Sequence, residues 1–450
     1  MGMKLLILQF VAPGLNEPLP TFSHNMGVLG AVLKADGFDV SLVALPGYHP
    51  QLLQSALERH KPAAILVETN PYSITAAHRT IGDIAAHRLP VVLCGQYASC
   101  SPSQAISIPG VFALLPGECE TAGRDLFRAL RDGGPCTGIP GTWVNTSSGL
   151  VKGPTPQLQA DLDLLPYPDR ELFNYDRLVQ MTGQVGMKVA RGCPMWCAYC
   201  VNDWYMDMYS GKGQYVRRRS VPNVLEEVRQ VVSRYRTAGS VTIYDHCFAG
   251  DEAWLDEFAR DYPRRCALPY RCHVPVGMVT ERTAGLLRDS HSRWVHTSIG
   301  SGSRFIREEV HSLHAGNEQI VRACQMLRHA GLAVTAEVFV GSPYESEITV
   351  EETVDLLRRC QADDVVARVY YPTPGTRAAE LCAENNWISG RGEENFWLQR
   401  SVLDMPSLPA AKIDHLAARL PRMVGRPGQN AIGKLINRLM RPRRRVITSL

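Results

Sequence analysis

The sequence predicts an α/β protein of two successive parallel-sheet domains. A doubly wound, Rossmann-like domain comes first, then a partial, TIM-like (β/α)6 barrel, then a small helical region. Three observations carry this reading. Short apolar runs alternate with helix-period stretches at the start of the chain, a Gly-, Pro-, Thr- and Ser-rich break runs from Gly133 to about Pro168, and a second alternation starts near residue 185. The 450-residue length also exceeds what one core usually supports, because buried volume grows faster than surface.

The elements follow in order. "KLLILQF" (4–10) is a short apolar run, and "GVLGAVLKADGF" (27–38) has helical spacing with Gly37 placed as a C-cap. "DVSLVAL" (39–45) returns to strand composition, which completes a βαβ unit. "AAILVET" (63–69), a helical stretch near 73–87, "PVVLCG" (90–95), "VFALLPG" (111–117) and "TAGRDLFRAL" (121–130) continue the alternation. Such a sheet takes ligands at the carboxyl ends of its strands. We place this domain at residues 1–140 and a linker at 141–180. Strand candidates then fall at 186–190, 240–245, 294–299, 333–340 and 365–371, with helices at 222–237, 317–330 and 349–361 between them. This second domain is placed at 181–385 and the helical region at 386–450.

Composition narrows the class. Hydrophobic residues make up 45% and charged residues 20%, as in ordinary globular proteins, and no apolar run reaches the ~18–20 residues that span a bilayer. The amino-terminal apolar run is interrupted by Gln9 and lacks a small-residue cleavage site, so a buried first strand is expected there rather than a signal peptide. Thirteen cysteines scattered along the chain suit a reducing cytoplasm better than a disulfide framework. A net charge of +4 implies no polyanionic partner, so no nucleic acid is expected. "NAIGKLINRLMRPRRR" (430–445) is a basic amphipathic stretch, expected as a solvated terminal helix in preference to a membrane-surface contact.

Three of the cysteines cluster. In "RGCPMWCAYC" (191–200), Cys193, Cys197 and Cys200 lie on a loop directly after the first strand of the second domain, where barrels gather their chemistry. A structural zinc site wants four closed ligands, and C-x3-C fits paired zinc knuckles poorly. An iron–sulfur cluster held by three thiolates keeps one iron open for a small molecule.

C-x3-C-x2-C with an aromatic residue before the last thiol, here Tyr199, resembles the radical S-adenosylmethionine (radical SAM) superfamily. The resemblance extends over most of residues 4–385, to the subfamily with a cobalamin-binding amino-terminal domain. It is carried by the order of "MGVLGAVLKADGFDV" (26–40), "VVLCGQYAS" (91–99), "LLPGECET" (114–121), "LPYPDR" (165–170), "YVRRRSVPNVLEEV" (215–228), "IYDHCF" (243–248), "SIGSGS" (298–303), "FVGSPYES" (339–346) and "YYPTPGT" (370–376). It implies that Cys193, Cys197 and Cys200 hold a 4Fe-4S cluster whose open iron chelates S-adenosylmethionine. It also implies that reductive cleavage yields a 5′-deoxyadenosyl radical, and that a corrinoid lies between the two domains.

The resemblance implies site residues too. Tyr199, Asp245, Ser298, Ser301 and Glu337 are the candidates for S-adenosylmethionine. Where the family has G-I-E-S-G-S, Gly300 replaces the acidic residue, and Ser298 or Ser301 is the substitute contact. Asp245, His246 and Tyr370 are the candidate catalytic groups, with packing the rival reading of His246. Gly95, Gln96, Tyr97, Ser99, Gly117 and Glu118 are expected near the corrin. "FSHNMG" (22–27) matches His24 and Gly27 of the D-x-H-x-x-G pattern of cobalamin mutases, with Phe22 at the acidic position. His24 therefore has two readings, cobalt ligand or binding-loop residue, and the missing acid weighs toward the second. Cys247 reads as a small buried hydrophobe, or else as a hydrogen donor or extra ligand, and the Arg217–Arg219 run as a solvated face in preference to a phosphate or carboxylate contact.

The function so implied is methylation of an unactivated carbon, less readily phosphorus, of a small metabolite or peptide, with an external flavodoxin- or ferredoxin-type electron donor. Two alternatives stand beside it: a cyclase or oxidative rearrangement enzyme with the same cofactors, and a non-catalytic corrinoid- or cluster-binding sensor.

Overall fold

A computed structural model describes residues 2–11, 21–392 and 395–425. The basic stretch at 430–445 lies outside the described residues. The chain divides into two compact units. One comprises Met1–Tyr175, Met195–Arg217 and Tyr371–Leu403, and the other comprises Asp176–Pro194, Arg218–Tyr370 and the segment from Asp404 onward.

The first unit is built on a seven-stranded sheet: β1 (Lys4–Phe10), β2 (Asp39–Leu45), β3 (Ala64–Glu68), β4 (Val91–Cys94), β5 (Val111–Leu115), β6 (Trp143–Thr146) and β7 (Gly149–Lys152). The spatial order is β2-β1-β3-β4-β5-β6-β7. The first five strands are parallel and the β6–β7 hairpin is antiparallel. The 2-1-3-4-5 order is the flavodoxin-like form of the doubly wound sheet, with its switch point between β1 and β3. Leu6, Leu8, Ile65, Val67, Val91 and Leu93 are fully buried, as expected of strands covered by helices on both faces. The hairpin lies within the stretch read from sequence as linker. It adds its strands to the edge at β5, with Val144 buried against the sheet.

The helix His24–Ala35 starts three residues earlier than its periodicity suggested, because Ser23 caps it by accepting the Met26 N–H. Gly27 is required by packing: a Cβ there would sit 2.8 Å from the Pro168 Cβ. Phe22 packs edge-on against Phe173 and Tyr175. The Arg170 guanidinium lies 5.3 Å from the Phe22 ring centroid.

The second unit carries six strands: β8 (Gln184–Met187), β11 (Ser240–Ile243), β12 (Tyr270–His273), β13 (Ser292–Gly300), β14 (Ala333–Val340) and β15 (Asp364–Val369). They pair in sequence order, all parallel, as a partial (β/α)6 barrel. The short pair β9 (Ala190–Arg191) and β10 (Arg217–Arg218) flanks them. β12 is the strand that sequence periodicity missed. Its four residues include Arg271 and His273, too short and too polar for an apolar run. Along β13 and β14 buried residues alternate with half-buried ones, Val295, Thr297 and Ile299 against His296 and Ser298, and Ala336 and Val338 against Glu337 and Phe339. The half-buried set shares the inner face of the sheet.

Candidate active site

The cysteine loop leaves β9. Its three thiols are half-buried, whereas nine of the thirteen cysteines are buried; Cys136 is the other half-buried one. Accessible, unbridged thiols are the donor set an iron–sulfur cluster requires. Among the described residues, no three His, Cys, Asp or Glu side chains converge on one point as ligands of a single metal ion. A cuboidal cluster does not need that convergence, because its thiolates attach to different irons.

The carboxyl-terminal half of the loop is fixed within the first unit. Cys200 N–H donates to the Cys197 carbonyl at 2.9 Å, and Ala378 N–H donates to the Ala198 carbonyl at 3.0 Å. Buried Asn202 donates to the Met195 carbonyl and accepts from the Tyr215 hydroxyl, each at 2.8 Å. Tyr199 is half-buried in this turn. Neither Asn202 nor Tyr215 was read from sequence as a site residue.

The start of the loop is fixed within the second unit by Asp245. Its buried carboxylate accepts the N–H of Val189 at 2.8 Å and of Ala190 at 2.7 Å. Burial raises its pKa, against the effect of these two bonds. Asp245 was expected as a catalytic and cofactor-binding group; in the structure both of its oxygens accept backbone N–H groups of the segment before the loop. Its neighbour His246 is exposed. Cys247 is buried, and its Sγ lies 3.4 Å from that of Cys193.

A polar chain crosses the inner face of the barrel strands. His273 Nδ1 donates to the His246 carbonyl at 2.5 Å, which fixes the tautomer, and burial lowers its pKa to about 4. The neutral ring therefore accepts the Ser298 hydroxyl at Nε2, 3.0 Å away. Glu337 accepts from His296 Nε2 at 2.6 Å and pairs with Arg368 through its other oxygen. Burial alone would raise the Glu337 pKa, but His296 and Arg368 together bring it down to about 2. Ser298 and Glu337 were read from sequence; His273, His296 and Arg368 were not.

Other expected residues do different work. Ser301 is fully buried, beside Thr353 at 3.2 Å and accepting the Ser303 N–H. Gly300 has φ +78°, and a Cβ there would meet the Leu313 Cδ1 at 2.9 Å and the His311 Nδ1 at 3.1 Å. The acidic residue of the family pattern has no room. Tyr370 is 2% exposed and packs against His311 and Phe339. Arg217 and Arg219 are not a solvated face: both are buried, paired with Glu118 and Glu227.

In the first unit, the carboxyl ends of β1 and β3 present Gln9 and Glu68 side by side, bonded at 2.9 Å, with the Ser23 hydroxyl 2.8 Å from the other Glu68 oxygen. Burial raises the Glu68 pKa. Gly95 has φ +94° at the end of β4, where a Cβ would strike the Thr69 carbonyl, and Gln96 and Tyr97 beside it are half-buried. Ser99 is buried, bridging the Gly95 carbonyl and the Gly117 N–H. Gly117 and Glu118 dock the segment after the cysteine loop: the Tyr209 hydroxyl accepts the Glu118 N–H at 2.7 Å and leaves no space for a Cβ on Gly117. His24, half-buried in the first turn of its helix, faces Phe22 edge-on.

Residues 187–357 match the radical SAM superfamily, so the chain carries a radical SAM domain. A methyltransferase of Pyrococcus horikoshii is 22% identical over 73% of this chain and 69% of that protein. A cytidylyl-2-hydroxyethylphosphonate methyltransferase of Streptomyces wedmorensis is 22% identical, covering 93% of this chain and 89% of its own. A tRNA-2-methylthio-N(6)-dimethylallyladenosine synthase of Moorella thermoacetica is 25% identical, but this chain spans only 45% of it. Among solved structures, the radical S-adenosylmethionine methyltransferase TsrM of Kitasatospora setae, with cobalamin and an iron–sulfur cluster bound, superimposes with a TM-score of 0.68. The identity is 19%, over 87% of this chain and 76% of that one. This likeness establishes a shared α/β fold. Among the described residues, no helix is long and apolar enough to cross a membrane.

Proposed function

We propose that this radical SAM domain and its flavodoxin-like partner unit form a cobalamin-dependent radical SAM methyltransferase acting on carbon, or on phosphorus, in a small molecule or peptide. The observation that carries the reading is the C-x3-C-x2-C loop itself: three accessible thiols on the segment that follows the first strand of a six-stranded parallel barrel. Relatives named as methyltransferases and the shared fold with TsrM support it.

Cys193, Cys197 and Cys200 would hold the cluster, which supplies an electron to S-adenosylmethionine so that a carbon radical can be made. The chain's residues then have separable tasks. Asp245, Asn202 and Tyr215 hold the two halves of the loop in place. Ser298 and Glu337, the latter held by His296, offer S-adenosylmethionine a hydroxyl and a fixed carboxylate on the inner strand face. His246 is the open polar side chain next to this row, available to orient substrate or exchange a proton with it.

The first unit would hold cobalamin, the methyl carrier, at the carboxyl ends of β1, β3 and β4. There the left-handed backbone at Gly95 keeps Cβ bulk away, and Gln9, Glu68, Gln96 and Tyr97 supply polar groups. A soluble cytoplasmic setting and an external one-electron donor belong to the same reading.

The test is anaerobic incubation of the reconstituted chain with S-adenosylmethionine, cobalamin, a strong reductant and candidate substrates. Formation of both 5′-deoxyadenosine and S-adenosylhomocysteine, with a product heavier by one methylene, is the expected result. Neither product from a cluster-loaded chain would contradict it, and a product lighter by hydrogen would favour a cyclase.

A further inference from the structure

Cys247 is a buried cysteine that the structure places against Cys193 of the cysteine loop. Its Sγ is 3.4 Å from that of Cys193, and both residues belong to the same compact unit. The approach is built rather than incidental. On one side, Asp245, two residues before Cys247, grips the amides of Val189 and Ala190, the latter three residues before Cys193. On the other, the Arg218 guanidinium donates to the carbonyls of Cys247 at 2.7 Å and Phe248 at 3.1 Å, Phe248 N–H donates to the His273 carbonyl, and Gly250 N–H donates to the Cys247 carbonyl. The turn that carries Cys247 is therefore tied on three sides.

We propose that Cys193 and Cys247 are a redox modification site: in the cluster-free chain, a low-molecular-weight disulfide oxidises them to a reversible intramolecular disulfide. A bond requires the sulfurs to close by about 1.4 Å. The half-buried Cys193 is the thiol that a soluble oxidant reaches first. Its thiolate attacks the small disulfide RSSR, giving a Cys193–S–S–R mixed disulfide and one RSH. The Cys247 thiolate then attacks the Cys193 sulfur, forming the Cys193–Cys247 bond and releasing the second RSH. Two thiols are oxidised and one RSSR is reduced to two RSH. The consequence rests on the reading of Cys193 as an iron ligand: an oxidised chain has one ligand masked and takes up a cluster only after a thiol reductant frees it. Cys193 is meanwhile kept from irreversible oxidation.

The experiment treats the full cluster-free chain with oxidised glutathione, blocks remaining thiols with N-ethylmaleimide, and maps the peptides by mass spectrometry. The expected result is a Cys193–Cys247 cross-linked peptide, two hydrogens lighter than its components and lost on adding dithiothreitol. Cys193 linked instead to Cys197 or Cys200, or Cys247 fully alkylated after oxidation, overturns the proposal. In Cys247→Ser the glutathione adduct on Cys193 should accumulate; its resolution at the wild-type rate would also overturn it. The wild-type mapping stands whether or not the variant folds. Iron uptake by the fully reduced wild-type chain tests the ligand reading separately.

Discussion

The Asp245 carboxylate accepts the backbone N–H of Ala190 at 2.7 Å, so a side chain at the end of one barrel strand sets where the chain leaves the next. Val189 donates to the other oxygen at 2.8 Å. Asp245→Ala leaves two buried amides without acceptors, at about 1–3 kcal/mol each. The variant should lose about 2–6 kcal/mol of stability and incorporate less than half the wild-type iron. Urea denaturation and iron analysis check this, and full iron incorporation at unchanged stability would remove Asp245 from its positioning role.

Glu337 and Glu345 should respond to pH in opposite senses. The folded pKa of Glu337 is depressed to about 2. The chain is therefore stabilised by this group above the ordinary glutamate range, and the contribution fades as pH falls from about 4.5 toward 2. Glu337→Gln should flatten the acid limb of the stability–pH curve, read by thermal melts between pH 3 and 7. A variant curve parallel to wild type would show that His296 and Arg368 do not favour the charged form.

Glu345 is fully buried, and burial raises its pKa to about 8 although it accepts the N–H groups of Gly341 and Ser342. The folded chain holds this proton between about pH 4.5 and 8 while the unfolded chain releases it, so stability declines as pH rises through that window. Glu345→Gln keeps an acceptor for the two amides and carries no charge. It should gain on the order of 2–4 kcal/mol over wild type at pH 8 and nothing at pH 4.5. Equal melting temperatures at both pH values would contradict this.

Gly300→Ala should destabilise the chain by about 1–3 kcal/mol, because φ +78° disfavours any side chain and the added Cβ meets Leu313 and His311. Gly300→Glu, which restores the family's residue, should do worse rather than rescue function. A variant that melts like wild type and binds S-adenosylmethionine more tightly would show that the site has room for the acid.

The parts of this architecture legible in sequence were those with a local period. Helices such as His24–Ala35 and Val221–Arg234 and five of the six barrel strands announce themselves through apolar spacing, and the cysteine loop through its spacing of thiols, whereas helices Pro50–His60 and Glu252–Arg265 were not read. Strand β12 did not, because Arg271 and His273 occupy its inner face and leave only two buried residues to mark it. With it went the polar row, since His273, Ser298, His296, Glu337 and Arg368 come from four strands and meet only when the sheet forms. The Arg217–Arg219 run misled for the same reason: their partners Glu118 and Glu227 lie 99 and 8 residues away, and only one of these was within local reading distance. The β2-β1-β3 order of the first sheet, and so the Gln9–Glu68 pair at its switch point, is likewise absent from periodicity.

The most direct test of the central claim is electron paramagnetic resonance of the anaerobically reconstituted, reduced chain before and after adding S-adenosylmethionine. About four irons per chain and a reduced-cluster signal that shifts when S-adenosylmethionine binds are expected. The signal should be absent when Cys193, Cys197 and Cys200 are all alanine. No cluster signal in the wild type, or one that persists in the triple variant, would contradict the claim.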